Sequence, residues 1–332
     1  MSSVTLKQLR YFDALAREKH FGRAAATCSV SQPALSMQIQ DLEATLRVAL
    51  VERTRGGLRL TQIGAKIAAR AARILSDAQD LIDVAQHSEQ LLTGPLSLGV
   101  IPSIAPYMLP PMLPILKETY PELELQIRET QTAPLTEELI KGQLDVMLLA
   151  MPIEHPDVET LDLFDDHFLL AIPKGRKLSA RVKATPELIQ DERLLLLEEG
   201  HCLRDQALRY CGLREVEAIR TFGASSLTTI VEMVSAGLGI TLLPEMCQGV
   251  EQRSRDIQLL RFAPPEPSRK LGLAWRKTSP RRGDFIELGR LLLKARNSMS
   301  EKFKDITDDP AKVGRQSPKT VRKAKTKKRK GR

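Results

Sequence analysis

The sequence predicts an α/β protein in three parts: a small helical domain with a hairpin, a long connecting helix, and a larger domain of alternating strands and helices. Three observations carry that expectation. Short amphipathic helices joined by a tight turn precede a Gly-Gly hairpin within residues 1–61. Residues 62–93 run without proline in a heptad pattern, and from Leu96 short apolar runs alternate with helical ones. At 332 residues the chain can bury two or three separate cores.

The first helix carries Leu6, Leu9, Phe12 and Leu15 on one face. After Lys19-His20 a second, shorter helix carries Phe21, Ala24, Ala25 and Cys28, with Cys28 expected as inert core. Ser29-Val30 makes the turn. Ser31 then caps a third helix to about Leu46, whose apolar face is Leu35, Ile39, Leu42 and Leu46. Two helices joined this way form a helix-turn-helix, and the second of them lies in the major groove of DNA. Its exposed opening residues are Ser31, Gln32, Pro33, Ser36 and Gln38. Pro33 costs nothing in a first turn, where its missing N–H has no partner to lose. Gln32 can bond an adenine edge at two points, and Ser31 and Ser36 can reach phosphate or base. Glu52–Leu60 reads as a hairpin with Gly56-Gly57 at its tip. Arg53, Arg55 and Arg59 make it a basic wing.

The connecting helix repeats Ile67, Ile74 and Leu81 in one heptad position and Ala71, Ala78 and Ala85 in the other. Alternating large and alanine layers let two helices approach closely, so a coil-like dimer is expected. Gly94-Pro95 ends the segment. At the other end of the chain, residues 312–332 hold eleven Lys/Arg and no acid, leaving the first 311 residues with 39 basic and 41 acidic groups, net −2. Residues 298–332 are therefore expected to be a basic, disordered tail that could act as a phosphate-binding arm.

The stretch FGRAAATCSVSQPALSMQIQDLEATLRVALVERTRGGLRLTQIG, from Phe21 to Gly64, resembles the winged helix-turn-helix of LysR-type transcriptional regulators. The resemblance implies double-stranded DNA with paired half-sites as a partner, and Gln32, Ser36 and Arg53 among the contacts.

In residues 94–297, LSLGVI, LELQI, DVMLLA, FLLAI and RLLLLEE are strand candidates, with helices after Ser103, Pro134 and Ser225. The alternation argues for a sheet of mainly parallel strands. Ligands of such sheets sit beyond the carboxyl ends of strands. Three ends qualify: Pro102-Ser103, Thr130–Thr132 and His201-Cys202. Taken alone, Ser103 reads rather as a helix N-cap, and His201 as readily as a surface residue or a hydrogen-bonded loop residue.

Cys202 sits beside His201 and Arg204 where a helix should begin, a setting that favours thiolate. If Cys202–Cys211 is one helix, nine residues separate the Cα atoms by about 13 Å, whereas a disulfide needs about 7 Å or less. The two thiols can pair only if the segment refolds. Cys247 is expected near the surface without a role, and Met108, Met112 and Met147 as packing. No zinc-type cluster appears, and neither metal nor cofactor is expected. With no basic-then-apolar leader and no apolar run near ~18 residues, a cytoplasmic, nucleoid-associated protein without membrane contact is expected. Disulfides in that compartment are usually transient.

GHCLRDQALRYC, GVIPSIAPYMLP, ETQTAPL, ASSLTTIVEMVSAGLGITLLP and EPSRKLGL are similar to the hydrogen peroxide-responsive branch of the LysR family, over about Leu6–Arg296. That likeness implies a regulatory domain of periplasmic-binding-protein type, with lobes at 95–164 plus 268–297 and at 165–267. It implies Cys202 as the peroxidatic thiol and Cys211 as the resolving thiol. Ser103, Thr132, His201 and Arg204 would surround the peroxide. It also implies a homotetramer built from dimers, contact with RNA polymerase, and resetting by cytosolic thiol reductants. Two positions depart: Ser103 stands where the branch has threonine, and Thr221 where some relatives have histidine. The competing reading is a LysR-type regulator answering a small metabolite in the same cleft. A thiol peroxidase or oxidoreductase is disfavoured because it would have no use for a DNA reader, and no Cys-x-x-Cys is present. A regulator, not an enzyme, is expected.

Overall fold

In the computed structural model, which describes residues 4–54, 57–86, 90–175, 183–185, 188–189, 192–211, 223–253 and 255–307, each N-terminal helix begins on a side-chain cap. Thr5 and Gln8 form a reciprocal capping box on α1 (Leu6–Glu18). His20 Nδ1 accepts from the Gly22 and Arg23 amides to cap α2 (Phe21–Thr27). Ser31 Oγ accepts from the Ala34 amide to cap α3 (Gln32–Leu46). β1 (Val51–Thr54) and β2 (Gly57–Leu60) form the antiparallel wing, with Thr54 opposite Gly57. Phe12, Leu15, Leu35, Ile39, Leu42 and Leu50 fill this domain's core.

α4 (Gln62–Gln86) adds Ala71 to that core but leaves Ile74 and Leu81 at 46% and 73% exposure. Its far half meets the regulatory domain. Arg276 Nη2 donates to Asp80 Oδ1 at 3.1 Å, and Gly142, in a left-handed conformation at φ 72°, packs directly on Ser76.

The regulatory domain continues through β3 (Gly94–Val100), α5 (Ala105–Thr119), β4 (Leu123–Glu129), α6 (Thr132–Ile140), β5 (Val146–Ala150) and β6 (Val158–Pro173). β7 (Leu196–Leu197), α7 (Cys202–Cys211), β8 (Gly223–Ala224), α8 (Leu227–Ser235) and β9 (Thr241–Pro244) follow. A 3₁₀ turn at Glu245–Cys247 leads into α9 (Gln248–Glu251), β10 (Ile257–Arg261), β11 (Ser268–Arg276) and α10 (Arg282–Thr307). A seven-stranded sheet runs β10-β6-β11-β5-β3-β4, with β9 also on β6.

The expected mainly parallel sheet is corrected here. Only β3 pairs in parallel within it, with β4 and β5, while β11 pairs antiparallel with β5 and β6, and β6 antiparallel with β9 and β10. The physical reason is that β6 leaves the first lobe and β11 returns to it, so the two necessarily run in opposite directions. Along β6, Phe164 belongs to the first core and Phe168 to the second. Leu98, Leu148, Trp275 and Phe285 centre the first, and Ile172, Leu195, Val231 and Phe262 the second.

Other expectations also shift. β6 starts at Val158, ahead of FLLAI, because its first half alternates buried and exposed residues. RLLLLEE shrinks to Leu196–Leu197 plus a bridge from Leu194 to Ile240. Helix α10 continues to Thr307, past residue 297, where the tail was expected to begin. Cys247, expected near the surface, is completely buried where the 3₁₀ turn folds under the second lobe. Thr221 and residues 308–332 lie outside the described residues. Among the described residues no helix is long and apolar enough to cross a membrane, and no cluster of His, Cys, Asp or Glu could hold a metal.

Candidate functional site

β7 ends at Leu197, and the Glu198 amide donates to Ala224 O of β8. The chain then turns through Gly200, whose φ of 88° is costly for any residue with a Cβ, and passes His201 into α7. α7 begins on Cys202 and ends on Cys211 as one helix, with Leu203, Ala207, Leu208 and Cys211 buried. Its nine-residue span keeps the two Cα atoms about 13 Å apart, and both thiols are free. Cys202 is half-buried and Cys211 buried.

Cys202 lines a narrow crevice together with Ile101, Pro102, Ser103, Gln131, Thr132, Gly200 and His201. The structure thus brings together Ser103, Thr132, His201 and Cys202 from three strand ends. Arg204 is not among them: its Nη1 donates to Leu197 O and ties α7 to the preceding strand.

Ser103 does not cap α5. Helix α5 starts beyond Ile104, without a side-chain cap. Ser103 is instead gripped by Arg269, which donates from Nη1 to its Oγ at 2.8 Å and from Nη2 to its carbonyl at 3.1 Å. The Arg269 side chain is fully buried, and its Nε donates to Asp166 Oδ2 at 3.0 Å. With its lone pair engaged, the Ser103 hydroxyl keeps its proton to donate. Thr132 starts α6, and its buried hydroxyl oxygen has no well-aligned hydrogen-bond partner, although it faces Cys202 closely enough to favour the thiolate.

These groups correct the expected electrostatics. Burial pushes the Cys202 thiol above its ordinary value, while the Arg269 guanidinium, the Thr132 hydroxyl and the Leu203 amide pull it back. Burial also lowers His201, so its imidazole is neutral at pH 7 and supplies no charge to the thiol. The cation beside the sulfur is therefore Arg269, not His201 or Arg204. Burial pushes Cys211 up to about 11 and Cys247 well above the ordinary thiol value. Sequence reasoning missed Arg269, Asp166 and Gln131. The one available signal was an arginine at the head of the apolar strand SRKLGLAW.

On the N-terminal domain, Ser31, Gln32 and Pro33 form the exposed first turn of α3, with Ser36 half-buried one turn on. The Ser31 hydroxyl is engaged in capping. Arg53 lies in β1 opposite Leu58, and Arg55 lies outside the described residues.

Residues 6–65 match the profile of the bacterial regulatory helix-turn-helix protein, lysR family, and residues 89–295 match that of the LysR substrate binding domain. A probable hydrogen peroxide-inducible genes activator of Streptomyces viridosporus is 43% identical over 295 residues, covering 88% of this chain and 94% of the relative. The DNA-binding transcriptional dual regulator OxyR of Escherichia coli K12 is 38% identical over 289 residues, covering 87% of this chain and 95% of the relative. Among solved structures, a full-length OxyR variant from Pseudomonas aeruginosa superposes with a TM-score of 0.75 at 38% identity, covering 87% of this chain and 95% of that one.

Proposed function

Because this chain belongs to the LysR family of bacterial transcriptional regulators and is similar to its OxyR members, we propose that it is a hydrogen peroxide-sensing regulator switched by a reversible Cys202–Cys211 disulfide. The observation that carries this reading is a single helix with a thiol at each end. One thiol opens on the Ser103–Thr132 cleft near Arg269, and the other is buried, with its Cα about 13 Å along the helix.

The Cys202 thiolate attacks one peroxide oxygen and the O–O bond breaks. The sulfur becomes sulfenic acid, and the second oxygen leaves as hydroxide, protonated to water. The Ser103 hydroxyl, whose oxygen accepts from Arg269 and whose proton is free to donate, would stabilise the departing oxygen. The Cys211 thiol then attacks the sulfenic sulfur, forming the S–S bond and releasing water. Closure unwinds α7 and frees the apolar face of Leu203, Ala207 and Leu208 to repack. The regulatory lobes shift with it, altering how paired helix-turn-helix domains sit on their half-sites. Thiol reductants of the cytosol return the dithiol.

Self-association through Ile74 and Leu81, a tetramer of such dimers and contact with RNA polymerase belong to the same reading. So do DNA contacts from Gln32, Ser36, Arg53 and Arg55, with Ser31 and Pro33 shaping the first turn.

The test treats fully reduced protein with one equivalent of hydrogen peroxide, maps thiols by peptide mass spectrometry, and footprints the operator in parallel. A Cys202–Cys211 bond with a changed footprint is expected. Both thiols remaining reduced with an unmoved footprint would sink the peroxide reading in favour of a metabolite-responsive regulator.

A further inference from the structure

We propose that Gln131 is a positioning residue that straps the Cys202 loop into the cleft and so sets how readily the disulfide closes. The inference rests on the Cys202–Cys211 reading. Gln131 precedes α6 in the first lobe, and its Nε2 donates to Glu199 O of the second lobe at 3.1 Å. The bond therefore bridges the two lobes just ahead of Cys202. Helix α6 does not need this side chain as a cap, since Gln131 makes no N-cap bond.

A second contact lies against the same amide. Gly200 presses its backbone on Gln131 so closely that a Cβ built there would sit 2.5 Å from Gln131 Oε1 and 2.9 Å from its Cδ. Glycine, at a left-handed φ and without a Cβ, lets the loop approach the amide this closely. The hydrogen bond and the packing together hold residues 199–200, and the next turn places the Cys202 sulfur opposite Thr132. Bringing that sulfur within bonding range of Cys211 means lifting the loop off Gln131. On this inference the strap holds the dithiol form and must be released for the disulfide to close.

The test uses full-length Gln131→Met, which keeps the side-chain length without a donor, and Gln131→Asn, an amide one methylene too short to reach. Two quantities are read: the thiol–disulfide equilibrium in glutathione buffers, and the rate of Cys202 oxidation by peroxide in a Cys211→Ser background. One net hydrogen bond is worth about fivefold in an equilibrium constant. Both variants are expected to favour the disulfide about fivefold, a potential about 20 mV more negative. Because Gln131 also lines the cleft, the peroxide rate is read separately from the equilibrium, and the strap is judged on the equilibrium shift shared by both variants. An unmoved equilibrium in Gln131→Met overturns the strap, whatever the peroxide rate does. If Gln131→Asn matches the parent, generic polarity suffices and the strap is again overturned. A parent protein that never forms the disulfide instead removes the underlying reading, and the strap falls with it.

Discussion

Arg269 is the charge that eases the Cys202 thiolate. Burial is the larger influence and leaves the thiol above its ordinary value, and the guanidinium offsets part of that rise by favouring the anion. Removing Arg269 alone would strand the buried Asp166 carboxylate, so the clean change replaces both. In Asp166→Asn/Arg269→Gln the Cys202 pKa should rise further. Its peroxide reaction near neutral pH should slow about tenfold for each unit of that rise. Thiol-loss kinetics across pH 7–10 will show the profile moved to higher pH; an unmoved profile would mean Arg269 does not set the thiolate. Tyr107 offers a second case at this scale. It reaches from α5 into the core of the second lobe, where its hydroxyl donates to buried Glu251 at 2.7 Å. Tyr107→Phe leaves that carboxylate a donor short and should cost about 1–3 kcal/mol in urea unfolding, without altering the peroxide rate.

Helix α7 is poised because its two ends face different surroundings: a cleft at Cys202 and a core at Cys211. The buried Cys211 has a folded-state pKa of about 11, against an ordinary value of 9.0. Below pH 9 both folded and unfolded chains keep this proton, and its stabilising contribution is fully present. Between pH 9 and 11 the unfolded chain loses the proton first, so stability falls as pH rises. Reduced protein should therefore lose on the order of 2 kcal/mol over that window from this group. Cys211→Ser should show a shallower decline in denaturation titrations run in parallel. Elements differed in how far the sequence revealed them. α1, α2 and α3 were legible because caps, periodicity and turn residues are local. The first half of β6 was not, since VETLDLFD alternates and its exposed half resembles a polar loop until β11 pairs with it. RLLLLEE reads as one full strand because apolar runs signal burial, yet its backbone bonds divide between Ile240, through Arg193 and Leu195, and β8, through Leu196 and Leu197.

The molecule joins its DNA-reading and regulatory parts through α4. Arg276 ties the end of β11 to Asp80 and also donates to Leu139 O and Leu144 O, at the far end of α6 from the thiol cleft. The apolar residues left on α4 belong to the proposed dimer. Leu81→Asp should lower self-association at least tenfold in sedimentation equilibrium while leaving the peroxide reaction intact; unchanged association would place the dimer contact elsewhere.

From sequence alone follow the three-part order, the capped helix of the DNA reader, the helical spacing of Cys202 and Cys211, and the likeness to LysR regulators. Each depends on neighbours within a few turns or on a long run of matched residues. Tertiary structure alone decided the chemistry of the thiol. Arg269 reaches Ser103 across 166 positions, and Gln131 reaches Glu199 across 68. It also decided that His201 is neutral and that Cys247 is buried. Charge and burial act through space, and the distances that set a thiol's protonation are fixed by packing between lobes, which no local pattern encodes.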